Sequence, residues 1–192
     1  MDNKILNIKL KKFNHSYSIQ WDDFVLNSNN GTIFHLRKFL SYHIERNFSD
    51  ESLIFEFNNK ILAVLPAAII TQSNKKILYS HPGSSYGGIV YKQLNFEECN
   101  SIVIKLIEYC KKNNISSIFM IPPPHIFHKQ YSETLLYSLL WNDFNIKESY
   151  ISSIIHLNEF SDSINFLSTR KKRYIKNINK NVNIRSKWCN NI

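Results

Sequence analysis

Apolar residues follow two different spacings along this chain, and each spacing predicts a different kind of element. Alternating positions or short continuous apolar runs predict strands at 5–13, 53–57, 61–70, 115–121 and 146–157. Positions that recur every three or four residues predict helices at 18–28, 33–47, 95–112, 131–140 and 161–181. This mixed order predicts an α+β or α/β domain built around one mixed sheet.

The run 61–70 is apolar on both faces, and it is therefore predicted to be a central strand. Pro66 lies inside this run and has no N–H to donate to a neighbouring strand. The strand must therefore bulge at Pro66 or lie free on one side there.

Three of the four glycines in the chain fall within residues 81–90, which we call the glycine motif. Glycines this close together indicate backbone conformations or close approaches that a Cβ would prevent. The motif predicts a turn or bulge between strands, at which free N–H groups could hold an oxygen of a ligand. A glycine-rich hairpin tip without a ligand explains the same residues equally well.

The segment 161–181 is predicted to be a basic amphipathic helix. Its apolar residues lie on roughly one face, and they are Ile164, Leu167, Tyr174, Ile175 and Ile178. Arginine and lysine fill the rest, and an arginine side chain offers a planar fork of donors to a phosphate. A solvated charged face, or a contact with an acidic surface outside this chain, would explain the pattern as well.

The net charge of +9, from 24 basic and 15 acidic residues, favours anionic partners such as phosphates, nucleic acid or a membrane surface. Asn, Ile, Lys and Ser are used heavily throughout, and genomic base composition would explain part of this charge without any function. With 192 residues, 43% of them hydrophobic, the chain is predicted to form one substantial core. It has neither a secretory signal pattern nor an apolar run of membrane-spanning length, so we expect a cytoplasmic protein.

Several kinds of chemistry are disfavoured by what the sequence lacks. The phosphate-binding, dinucleotide-binding, serine-hydrolase and zinc-protease motifs are all missing. The three cysteines have no C-x-x-C spacing, and Cys99 and Cys110 are predicted to be buried thiols. His35 and His43 have no second ligand at metal spacing, so we expect packing or solvation there and predict no metal site.

Several segments, in this order and spacing, resemble the first half of FemAB-like proteins of the GNAT acyltransferase superfamily. They are WDDFV at 21–25, NGTIFH at 30–35, AVLPA at 63–67, HPGSSYGG at 81–88, IP at 121–122 and RYIK at 173–176. The resemblance extends from about residue 21 to residue 182. It implies an α+β, GNAT-like fold with a mixed, mostly antiparallel central sheet flanked by helices. It also implies transfer of an acyl or aminoacyl group to an amine, often on a cell-envelope saccharide or precursor.

The resemblance and the placement of residues together suggest a candidate site. Its substrate-binding residues are Ser85, Tyr86, Gly87, Gly88, Arg170 and Arg173. The glycines would offer N–H groups to an oxyanion, the arginines would bind phosphate, and Tyr86 would hydrogen-bond the acceptor. His81 and Tyr86 are weak catalytic candidates, with His81 as a possible base. A turn histidine, a packed strand tyrosine and solvated arginines are the structural alternatives, and for His81 the alternative is favoured.

Two departures from the family pattern qualify this interpretation. The Q/R-x-x-G-x-G/A loop, which usually holds the pyrophosphate of acyl-CoA, is missing. We expect a single GNAT-like domain at 1–160 and a basic helix and tail at 161–192, leading toward a second domain that this chain lacks. No tightly bound cofactor is expected, and acyl-CoA or aminoacyl-tRNA would be the donor.

Three functions therefore remain open. The first is the N-terminal half of, or a truncated, FemAB-like acyltransferase. The second is a non-catalytic binding or dimerisation domain, whose partner would be a second GNAT-like domain or another copy. The third is a nonspecific nucleic-acid binder, with tRNA as one candidate, that uses the basic helix.

Overall fold

The structure, a computed structural model, describes residues 5–41, 48–151 and 167–181. Its strands are β1 (Lys9–Lys12), β2 (Ser49–Asp50), β3 (Leu53–Phe57), β4 (Lys60–Leu65), β5 (Ala68–Gln72), β6 (Lys75–Ser80), β7 (Val90–Tyr91) and β8 (Ile115–Met120). Its α-helices are α1 (Ser18–Leu26), α2 (Arg37–Leu40), α3 (Phe96–Lys112), α4 (Thr134–Trp141) and α5 (Thr169–Asn181). Short 3₁₀ turns lie at His15–Tyr17, Ile33–His35 and His125–Phe127.

The strands form two four-stranded sheets with the orders β1-β3-β4-β7 and β2-β5-β6-β8. Every pairing is antiparallel except β6 with β8, which is parallel. The α+β class and the mixed, mostly antiparallel strand arrangement are therefore confirmed. The strands are divided between two sheets, however, where the sequence predicted one.

Pro66 marks the point at which the chain passes from one sheet to the other. The predicted central strand 61–70 is in fact two strands, because β4 ends at Leu65 and β5 begins at Ala68. Proline cannot donate to a ladder, so the pairing has to be interrupted here, as the sequence indicated. The buried Ser52 hydroxyl takes the next N–H, that of Ala67, at 3.2 Å.

The central strands of the first sheet, β3 and β4, are buried on both faces over most of their length. Alternate residues of its strands, such as Phe55 and Leu65, join one core with the apolar stripe of α3. Their neighbours Ile54 and Val64 pack on the opposite side against Trp21 and other residues of α1. This two-sided burial explains why β3 and β4 are apolar nearly throughout.

Some predicted elements are shorter in the structure. The predicted helix 33–47 is reduced to a 3₁₀ turn and α2, and residues 42–47, including His43, lie outside the described residues. The predicted strand 146–157 has no regular structure over its described part, 146–151. Leu36 has extended backbone between the 3₁₀ turn and α2, which ends the first helical turn.

The chain divides into two compact units, Met1–Ser149 and Tyr150–Ile192. All eight strands described above lie in the first unit, whereas α5 lies in the second. The sequence boundary at residue 160 stays a prediction. None of the described helices is long and apolar enough to cross a membrane.

Candidate functional site

The glycine motif connects β6 of the second sheet to β7 of the first. Along the way, the Gly87 N–H donates to the carbonyl of Ile121, at 2.7 Å, directly after the end of β8. The motif therefore joins the ends of strands from both sheets. A ligand bound here would meet the ends of several strands rather than the face of one sheet.

The glycines are required by the backbone geometry. A Cβ on Gly87 would lie 2.3 Å from the carbonyl oxygen of Ser80, a contact that no side-chain rotation can relieve. Gly88 has a φ of +84°, in the left-handed region that glycine adopts most easily. The predicted turn with a close backbone approach is therefore present.

The N–H groups of both glycines are used inside the protein. Gly87 donates to Ile121, and Gly88 donates to the hydroxyl of Ser80 at 2.8 Å. The Ser80 hydroxyl in turn donates to the carbonyl of Pro66. In this conformation neither N–H group is available to an oxyanion, so the expected donor role of Gly87 and Gly88 does not hold here. A role of either glycine in shaping a substrate site stays a prediction.

His35 connects the glycine motif to the segment that follows α1 through hydrogen bonds to the backbone of both. Its ring is fully buried, and Nδ1 accepts the N–H of Thr32 at 2.9 Å. Nε2 therefore carries the proton and donates to the carbonyl of Gly87 at 3.1 Å. Burial lowers the pKa of His35, while its two backbone hydrogen bonds raise it less strongly. His35 is a packed structural residue, which confirms the interpretation made from the sequence.

Two adjacent asparagines hydrogen-bond to the backbone of segments next to the motif. Asn30 pairs with the β7 segment, donating to Ile89 at 2.9 Å and accepting from Tyr91 at 3.0 Å. Asn29 pairs in the same way with both backbone groups of Gln130, at 2.9 and 2.7 Å. The sequence analysis placed these asparagines only at the end of the predicted helix 18–28. The available signal was a pair of amide side chains between apolar segments, because amides that become buried must find hydrogen-bond partners.

A row of aromatic rings borders the motif, and we call it the aromatic row. It runs from Phe39 through Phe34 and Tyr86 to Phe127, with ring centroids 5.0, 5.6 and 5.7 Å apart. Phe127 is 48% exposed and Tyr86 is half-buried. Among the described residues, the Tyr86 hydroxyl has no hydrogen-bond partner. Tyr86 is thus a packed aromatic residue whose polar end remains available to a ligand.

The polar residues at the start of the motif differ in exposure. His81 is buried at the turn, where Nδ1 lies 2.8 Å from the carbonyl of Pro82 and the ring contacts Phe48. This is the environment of a turn histidine, and its role as a base stays a prediction. Ser85 is exposed, whereas the Ser84 hydroxyl is buried without a partner among the described residues.

No protein-family model matches the sequence, and no curated protein matches it. The fold, however, is similar to that of FemX, with a TM-score of 0.50 and 14% identity over 70% of this chain and 31% of FemX. The chain has a GNAT-like fold. At this identity the likeness to FemX concerns the fold alone, and the matched part is about a third of FemX.

Two further solved structures have a similar fold, with lower TM-scores. The protein TTHA1254 from Thermus thermophilus has a TM-score of 0.47 at 8% identity, over 77% of this chain and 96% of its own. A GNAT family acetyltransferase from Staphylococcus aureus has a TM-score of 0.44 at 12% identity, over 77% and 98%.

Arg170 and Arg173, the predicted phosphate ligands, belong to the second unit. Arg170 and Arg173 are exposed on α5, where they border a surface depression of about 470 Å³, open to solvent, together with Tyr174 and Asn177. The guanidinium carbon of Arg170 lies 5.8 Å from the centre of the Tyr174 ring. Binding of a phosphate by these arginines stays a prediction.

Cys99 and Cys110 are not poised for nucleophilic chemistry. Cys99 and Cys110 are buried on α3, as the sequence predicted. Burial raises the pKa of Cys99 to about 12 and that of Cys110 to about 11, so both remain thiols at neutral pH. Within the described ranges, no three His, Cys, Asp or Glu side chains converge as a metal site.

Proposed function

We propose that this chain is part of an acyltransferase that moves an acyl or aminoacyl group to an amine of a cell-envelope saccharide or precursor. Its GNAT-like fold, similar to that of FemX, is the observation that carries the proposal. The position of the glycine motif at the ends of β6 and β8, beside the partly exposed aromatic row, supports the proposal that the reaction takes place there.

In the proposed reaction the amine nitrogen attacks the carbonyl carbon of a thioester or an aminoacyl ester. A C–N bond forms, the C–S or C–O bond breaks, and the proton of the amine leaves with the thiol or hydroxyl product. Such a step needs positioning, removal of a proton and donors for the developing oxyanion. Because the Gly87 and Gly88 N–H groups are occupied, we assign the donor role to the Tyr86 hydroxyl.

The donor in this proposal is acyl-CoA or aminoacyl-tRNA, and both carry phosphates. Arg170 and Arg173 are the proposed phosphate ligands, because both are exposed beside one surface depression on a helix that has no acidic residue in its sequence. The reaction is placed in the cytoplasm, as expected from the sequence.

Calorimetric titration of the purified chain with acetyl-CoA tests the donor site. Heat at a defined stoichiometry, lost in Arg173→Ala, is the expected result. The matched control is Lys105→Ala, on the exposed face of α3, which should bind as the unchanged chain does. Absence of heat with both acetyl-CoA and aminoacyl-tRNA would contradict a donor site on this chain.

A non-catalytic binding or dimerisation domain is the alternative function. The internal use of the Gly87 and Gly88 N–H groups favours it, because an oxyanion site usually offers free donors. Light scattering during the same titration distinguishes this alternative from the transferase. A dimer that binds no donor supports the alternative, whereas a monomer that binds acetyl-CoA supports the transferase.

Nonspecific binding of nucleic acid is the second alternative. Within its 13 residues α5 has six basic side chains and no acidic one: Arg170, Lys171, Lys172, Arg173, Lys176 and Lys180. Phosphate contacts from such a helix give affinity that falls steeply with salt, with a slope of about −0.7 per contact on single strands. Binding of a mixed-sequence RNA with this salt dependence and no base preference would support it.

A further inference from the structure

Three aromatic rings are in mutual contact on the surface formed by the first turn of α3 and the outer face of α4. The ring centroid of Phe96 lies 5.5 Å from that of Tyr137 and 6.3 Å from that of Trp141, and the last two lie 5.9 Å apart. Tyr137 is 53% exposed, Trp141 58% and the adjacent Leu140 44%. We call these four residues the α4 patch.

The patch exists because α4 is apolar on its outer face as well as on its inner one. The helix has the sequence TLLYSLLW and contains no charged residue. Its inner face is buried, with Leu135 and Leu139 in the core beneath α3. A helix that is apolar all round normally has its outer face covered too. Contiguous exposed aromatic residues mark interaction sites, and tyrosine and tryptophan are enriched among the residues that dominate binding energy.

The surroundings of the patch have the opposite charge to the chain as a whole. The patch lies on two stretches, 93–104 and 130–146, which contain four acidic residues and neither lysine nor arginine. The acidic residues are Glu97, Glu98, Glu133 and Asp143. The net charge of the whole chain is +9, so this local excess of carboxylates runs against its composition.

Three of these carboxylates border the patch. Glu97 directly follows the aromatic residue of α3 in the chain. The backbone of Glu133 accepts the N–H of Tyr137 at 2.8 Å, and the Asp143 N–H donates to the carbonyl of Leu140 at 3.2 Å. Within the described ranges, none of the three carboxylates is part of an ion pair. Their charges are therefore available to a partner.

We propose that the α4 patch binds a basic amphipathic helix of a partner protein. The apolar stripe of such a helix would cover the aromatic rings, and its lysines and arginines would meet the carboxylates at the border. Tyr137 and Trp141 are four residues apart and form a ridge along α4, a surface on which another helix packs. This interaction does not depend on acyl transfer by the chain.

The same charges disfavour two other occupants of an apolar patch. An anionic lipid surface would be repelled by the carboxylates, although the chain is basic as a whole. In a symmetric dimer the patch would face its own copy, and that arrangement would bring like charges together. A cationic partner is the one that complements both the rings and their border.

Calorimetric titration of the full chain with a synthetic peptide tests the proposal. The probe is a helical peptide of about 18 residues, with leucine on one face and lysine on the other. Saturable binding of one peptide per chain is expected, with affinity reduced at least about tenfold in Trp141→Ala. The matched control is Ile19→Ala, which removes an 85% exposed apolar side chain from α1 and should bind as the unchanged chain does.

Reversal of one charge separates recognition from any change in folding. Glu97→Lys should weaken binding of the lysine peptide and strengthen binding of a second peptide in which glutamate replaces lysine. Loss of folding cannot produce such an exchange of preference. The matched control is Glu108→Lys, because Glu108 is exposed about three turns further along α3, and it should leave both affinities unchanged.

Three results would overturn the proposal. The first is equal affinity of the lysine peptide for Trp141→Ala and the unchanged chain, because the peptide would then bind elsewhere. The second is equal affinity of the unchanged chain for both peptides, which would remove the role of the carboxylates. The third is self-association, or binding to vesicles of anionic phospholipid, that is lost in Trp141→Ala, because the patch would then have a different occupant.

Discussion

The core beneath α3 and the junction at the glycine motif are both buried, but different forces hold them. Apolar area holds the core, in which Phe55, Leu65 and Leu106 are fully buried. Directed hydrogen bonds hold the junction, where the Ser80 hydroxyl bridges the Pro66 carbonyl and the Gly88 N–H. The core should therefore tolerate apolar exchanges of similar volume, whereas the junction should not tolerate the addition of one methyl group.

The largest effect is expected in the core, from Phe55→Ala. Loss of a fully buried aromatic ring from the core beneath α3 should lower the free energy of unfolding by about 4 kcal/mol. Urea unfolding followed by circular dichroism measures the change, with Ile19→Ala as control. Ile19 is 85% exposed and should change stability by less than about 0.5 kcal/mol. Equal losses in both variants would contradict a core held by buried area.

In the junction, Gly87→Ala should cost about 3 kcal/mol, because the new Cβ meets the Ser80 carbonyl rather than a movable side chain. Gly83→Ala is the matched control within the same motif. Gly83 is exposed with a φ of 85°, so its replacement should cost only about 1 kcal/mol. Indistinguishable losses in urea unfolding would contradict a dominant cost from the close approach at Gly87, whose φ is not positive.

Ser80→Ala should cost about 2 kcal/mol, since it leaves a buried carbonyl and a buried N–H without their partner. Ser116→Ala, on the exposed side of β8, should be close to neutral. Hydrogen exchange of the Gly88 amide provides a local readout. Faster exchange at Gly88 with little change in the α3 amides is expected, and unaltered protection of Gly88 would contradict the bridge.

The same contrast explains how much of the molecule could be predicted from sequence. Helical spacing identified α3 and α4, and Pro66 correctly marked an interruption, because both signals are local. The hydrogen bonds of the junction join residues far apart in the chain, 52 positions for His35 with Gly87 and 59 for Asn30 with Ile89. No periodicity encodes such partners. For this reason the glycine motif was found, but the internal use of its N–H groups was not.

The smallest effect is expected from protonation of His35, because this group contributes to the pH dependence of stability only under acid conditions. Its pKa is lowered in the folded protein, so below about pH 6.5 the unfolded chain binds a proton that the folded chain resists. Stability from this group is thus complete above that pH and declines as the pH falls toward the folded pKa. Protonation of Nδ1 would also remove the acceptor of the Thr32 N–H.

Urea unfolding at pH 7.5 and pH 5.5 measures this contribution. His35→Gln is expected to be less stable than the unchanged chain at both pH values. Its free energy of unfolding should, however, fall less between pH 7.5 and pH 5.5. The pKa of His128 is also lowered by burial, so His128→Gln is measured alongside to isolate its share of the change in stability with pH. If His35→Gln loses as much stability on acidification as the unchanged chain does, the neutral, Nε2-protonated His35 is not what holds the glycine motif in place.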